Sequence, residues 1–170
     1  MDLRQALLRE HSKKQASKIT DYVADNPVRF KVLVDIYLEG PYRVTQRAAW
    51  PVGLCVEKHP ELIRPHLKRV IDYLRKPGIH DAVKRNTMRL LQFCDIPKRY
   101  HGALIDLCFQ YLQDHKEPVA VKAFAMTVLY RLTQTIPELK KELQIVLEDQ
   151  LPYASPAFTV RARKILKELA

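Results

Sequence analysis

A chain of 170 residues, 47% hydrophobic and 28% charged, suits one globular domain and excludes both intrinsic disorder and a membrane-embedded class. Its four glycines, Gly40, Gly53, Gly78 and Gly102, stand apart, which excludes the glycine-rich loops that cradle phosphates. The 29 Lys and Arg against 19 Asp and Glu give a net charge of +10 and point to an acidic partner, whether nucleic acid, an anionic membrane surface or an acidic protein.

At the start of the chain, Met1-Asp2-Leu3-Arg4-Gln5 lacks the basic start and apolar core of a secretory signal, and no apolar run approaches a spanning length. A soluble, cytoplasmic protein without a membrane span is the expectation. Beyond it, apolar residues recur at intervals of three and four, as in Leu67, Val70, Ile71, Leu74 and in Val121, Ala125, Val128, Leu129, Leu132, the spacing of one face of a helix. Breakers at Asn26-Pro27, Gly40-Pro41, His59-Pro60, Pro77-Gly78, Ile96-Pro97, Pro118, Ile136-Pro137 and Ser155-Pro156 divide the chain into helix-length pieces. The first two helices are expected near 12–25 and 27–38, the third opens near Val44, and the last is expected near 156–169. Strand-like alternation is absent, so the fold is predicted to be all-α.

These pieces repeat. One helix type opens at Val44, Val83, Val121 and Val160, at separations of 39, 38 and 39 residues. Four positions on lie Ala48, Thr87, Ala125 and Lys164, and eleven on lie Cys55, Cys94 and Leu132. The second type aligns at Ile36-Tyr37-Leu38, Asp72-Tyr73-Leu74, Gln110-Tyr111-Leu112 and Asp149-Gln150-Leu151. The valine-basic openings Val83-Lys84, Val121-Lys122 and Val160-Arg161, with the entries Pro60-Glu61-Leu62 and Pro137-Glu138-Leu139, resemble the HEAT-repeat family over about residues 12–170. The resemblance implies an α-solenoid: a right-handed superhelix of about four helical hairpins plus a terminal capping helix, forming a single domain over 1–170. It also implies that the second helices line a concave face. Each hairpin exposes an apolar face that only a neighbouring hairpin can bury.

Cys55, Cys94 and Cys108 lack the C-x-x-C spacing of a metal or redox site, and two of them share a column with Leu132, so buried structural thiols are expected. The six histidines include no metal-binding pair, and no nucleophile elbow is present. No catalytic residue, cofactor or metal ligand is therefore expected. Eight of the Lys and Arg lie in residues 41–80 against three acids, and the candidate partner contacts follow that excess. Around Tyr73, His66, Arg69 and Lys76 fall on one helical stripe, with Arg64, Lys68 and Arg75 adding charge. Tyr37 and Tyr111 share the Tyr73 position on neighbouring second helices, and Lys84, Lys122 and Arg161 share the position after the valine. These columns fit either inter-repeat ladders or a concave groove for an acidic protein or nucleic acid.

Trp50, followed by Pro51 within a helix, fits packing against the first repeat or a stacking platform. On fold and charge alone, the chain also resembles HEAT-like DNA glycosylases that act on alkylated bases, which implies base excision as an alternative function. Those enzymes place a carboxylate about one turn from a tryptophan; here Leu54 holds that position and Glu57 lies two turns away.

Overall fold

The computed structural model describes all 170 residues, Met1–Ala170. It is all-helical, with 78% of residues in helix, ten α-helices and no strand, and no helix is long and apolar enough to cross a membrane. Five of the ten helix starts are set by side chains that accept the otherwise unpaired first N–H groups. Asp2 accepts from Gln5, Ser12 from Gln15, Asn26 from Val28 and Arg29, His80 from Ala82, and Ser155 from Phe158.

The helices are α1 Leu3–Arg9, α2 Lys13–Val23, α3 Pro27–Glu39, α4 Tyr42–Lys58, α5 Leu67–Leu74, α6 Asp81–Leu90, α7 His101–Gln113, α8 Val119–Leu132, α9 Leu139–Gln150 and α10 Pro156–Leu169. Expected helices near 12–25 and 27–38 correspond to α2 and α3. Helix α1 was not anticipated, since two turns carry too little periodicity; it is held by burial of Leu3, Ala6 and Leu7. Helix α4 continues through Pro51, which is itself buried.

The chain forms two compact units, Met1–Ile96 and Pro97–Ala170. In the first, α2, α4 and α6 pack in succession while α3 lies against α4 and α5, the layering of stacked helical hairpins. In the second, α8 is the centre and contacts α7, α9 and α10.

The repeat columns become core columns. Val44, Val83 and Val121 are buried, as are Cys55, Cys94 and Leu132. Helix α10 departs from the expected frame, because Val160 is 72% exposed whereas Phe158, Ala162, Ile165 and Leu169 are buried. Ser155 starts this helix at Pro156, and at about 100° per residue Val160 lies about 200° around the helix from Phe158. The last repeat interval therefore runs from Val121 to Phe158, 37 residues. In this frame the fourth position on is small in every copy, and Ala48, Thr87, Ala125 and Ala162 are all fully buried, which permits close helix approach.

Candidate functional site

Helix α5 is amphipathic and places its charges on two sides. Leu67, Val70, Ile71 and Leu74 face the core, leaving Lys68 and Asp72 exposed on the helix and Arg64, Arg75 and Lys76 exposed on its flanks. Arg69 points sideways to α3, where its guanidinium meets Asp35 at 2.7 Å and Glu39 at 2.6 Å. Lys31 also reaches Asp35, at 2.6 Å. Burial tends to raise the Asp35 pKa, but hydrogen bonds and charge from Lys31 and Arg69 outweigh it and hold the carboxyl below the ordinary range. The Arg69 pKa is raised, first by its hydrogen bond to Asp35.

Two cations, Lys31 and Arg69, are thus cancelled by two carboxylates in a ladder joining α3 to α5. On the outer stripe, Asp72 pairs with Lys68 at 2.6 Å, while Arg64, Arg75 and Lys76 meet no carboxylate. The Lys76 ammonium instead sits 5.2 Å from the centre of the Tyr73 ring. His66 packs against Phe30 with ring centres 5.9 Å apart, and burial, then the Arg69 charge, lowers its pKa. It is accordingly neutral near pH 7 and adds no charge to the stripe.

The tyrosine column does not form a surface. Tyr37 is fully buried and its hydroxyl hydrogen-bonds the Thr87 hydroxyl on α6, which itself donates to the Val83 carbonyl at 2.7 Å. Tyr111 is also buried, and burial pushes its phenol pKa up. Both are corrected from candidate contacts to core residues. The physical reason for Tyr37 is that α3 packs on both α4 and α5, so adjacent residues such as Tyr37 and Leu38 can both face inward. Tyr73 stays half-buried, its ring 5.7 Å from that of Tyr37.

Lys84 and Lys122 are half-buried on α6 and α8. Arg161 is no longer their equivalent once the frame of α10 is corrected. Trp50 is half-buried, its ring edge toward His11 at 6.0 Å between centres. Glu57, the carboxylate a base-excision site would draw on, is engaged by Arg89 at 3.0 Å.

A second feature lies wholly in Pro97–Ala170. An open groove of about 680 Å³ runs between α8 and α10, with Val160 and Ile165 on its apolar side and Thr127, Tyr130, Arg161 and Lys164 among its polar lining. The neighbouring Glu168 carboxylate raises the Tyr130 phenol pKa. Of this lining, the sequence points to Arg161 alone as a partner contact. The interval Phe158, Ala162, Ile165, Leu169 carries the signal that turns Val160 outward, and it requires no structure to read.

No group of His, Cys, Asp and Glu side chains is arranged to hold a metal ion. All three cysteines are buried and none forms a disulfide, with burial pushing the Cys55 thiol up to about 11. A family model for the HEAT repeat domain matches residues 3–169. No curated protein and no solved structure matches the chain significantly.

Proposed function

The chain belongs to the HEAT repeat domain family, a scaffold family of protein-interaction solenoids, and from that premise we propose that it is a non-enzymatic binding module for an acidic protein segment, engaged through the α5 stripe. The single observation that carries the reading is charge left over after internal pairing. The ladder of Lys31, Arg69, Asp35 and Glu39 is neutral and Lys68 pairs with Asp72, whereas Arg64, Arg75 and Lys76 on the outer stripe meet no carboxylate. Exposed cations of this kind contribute little to folding and steer an oppositely charged partner. Clustering on α5 and its two flanks gives the partner several simultaneous contacts. The working compartment that fits such a module, with three free thiols, is the cytoplasm.

The test is fluorescence anisotropy with a labelled oligoglutamate peptide, set against duplex DNA of matched charge. Binding of the peptide should weaken with salt, and Arg64→Ala/Arg75→Ala/Lys76→Ala should weaken it by at least about tenfold, the size of one lost charge-assisted contact. Unchanged peptide binding in that variant would remove the stripe from the interface. Preference for DNA, with the steep linear salt dependence of counterion release, would replace the protein partner with nucleic acid. The base-excision alternative predicts release of alkylated purines that disappears in Glu57→Gln.

A further inference from the structure

Arg161 is a candidate cation that the structure both fixes in place and leaves without a counter-charge. One of its guanidinium N–H groups donates to the Thr127 hydroxyl at 2.9 Å, and that hydroxyl donates onward to the Ala123 carbonyl at 2.9 Å. The guanidinium also lies 6.0 Å from the centre of the Phe124 ring. It is half-buried, and no carboxylate pairs with it. A guanidinium has five N–H donors, and one bond to a hydroxyl leaves a fork free to receive a carboxylate through two parallel bonds. Holding that fork in advance reduces the ordering that binding would otherwise require.

Beside it, Val160 turns a 72% exposed side chain along the same groove, and Ile165 and Ala157 continue the apolar lining. The one acid in the lining is Glu168, and it forms no ion pair with Arg161. Helix α10 carries Arg161, Arg163, Lys164 and Lys167 against that single acid, so the groove and its rim are positive.

We propose that the groove between α8 and α10 is a docking site for a protein segment that pairs a large apolar side chain with a nearby Asp or Glu. The apolar side chain seats against Val160 and Ile165, and the carboxylate takes the free fork of Arg161 with Lys164 at the rim. Charge complementarity selects this occupant: a neutral apolar segment leaves Arg161 half-buried and unpaired, and a purely acidic one leaves the apolar wall uncovered. Thr127 is a positioning residue, aiming the guanidinium without touching the partner. The inference rests on the reading of the chain as a binding module for acidic protein, but not on the α5 stripe.

The probe is a random peptide library displayed on phage and selected on the whole chain, followed by synthesis of the enriched peptides. The expected result is enrichment of sequences with a large apolar residue within a few positions of Asp or Glu. Their affinity should fall by at least about tenfold in Arg161→Gln and in Val160→Glu, and should fall less in Thr127→Val, which keeps the charge but frees the side chain. Val160 is exposed, so its variant retains the fold, and a circular dichroism melt checks the other two. Arg64→Ala/Arg75→Ala/Lys76→Ala should leave these peptides bound, which separates failure of the α5 reading from failure of this one. No enrichment, enrichment without an acid, or affinity indifferent to both Arg161→Gln and Val160→Glu overturns the proposal. A dimer of the chain that Val160→Glu dissociates would put a second copy in the groove and overturn it as well.

Discussion

Replacing Arg69 by alanine removes the guanidinium that ties α5 to α3. From sequence, Arg69 fitted either an inter-repeat ladder or a binding groove; its place between Asp35 and Glu39 makes it part of a ladder. The Arg69 and Asp35 side chains are 37% and 30% exposed and Glu39 is 70% exposed, so water screens both pairs and each contributes about 0.2–1 kcal/mol. Asp35 retains Lys31 at 2.6 Å, so no carboxylate is left stranded, and the two losses together come to about 1 kcal/mol. For a chain of this length melting as one, that lowers Tm by about 2–4 °C. The pH dependence has a definite sign. Because the folded state holds Asp35 below its unfolded value, the stabilisation is fully present above the unfolded pKa and is lost as pH falls through the folded one. Circular dichroism melts of the two proteins should therefore differ near neutral pH and converge as the pH drops below the carboxylate range, and converge again in molar salt. An unchanged Tm at neutral pH together with a large loss of affinity for an acidic peptide would refute the ladder and return Arg69 to the contact surface.

Two further outcomes follow from single positions. Ala24 closes α2 at φ 46°, a region that L side chains adopt at a cost of about 1–3 kcal/mol, so Ala24→Gly should raise the melting temperature despite glycine's greater unfolded-state freedom. The Cys55, Cys94 and Cys108 thiols are buried, and burial raises the Cys55 and Cys108 pKa values; a thiol reagent near neutral pH should leave all three unreacted in the native protein and label all three in denaturant.

The parts legible in the sequence are those that a single helix determines. Spacing of three and four located the helices, and the Val44, Val83 and Val121 column marked where each first helix enters the core. Cys55 and Cys94 were readable as core residues because Leu132 occupies the same column. Tertiary relations were not readable. Tyr37 stands in the same column as half-exposed Tyr73, yet its burial depends on a neighbour on each side of α3. The acids that neutralise Arg69 lie 34 and 30 residues earlier, a pairing that no spacing rule predicts. Val160 misled because it matched the column by residue type, while the apolar period of Phe158, Ala162, Ile165 and Leu169 set the true face. The groove was out of reach for a related reason: its walls come from two helices, and only their packing creates the space.

The proposed role as a receptor for acidic protein rests on the charge left unpaired at Arg64, Arg75 and Lys76 on the flanks of α5. The most direct measurement is an NMR titration of the ¹⁵N-labelled chain with oligoglutamate, following every backbone amide. The largest shifts should cluster at Arg64, Lys68, Arg75 and Lys76, with residues of the buried Tyr37 and Thr87 pair unmoved. Shifts spread evenly over all Lys and Arg positions, or centred away from α5, would contradict it.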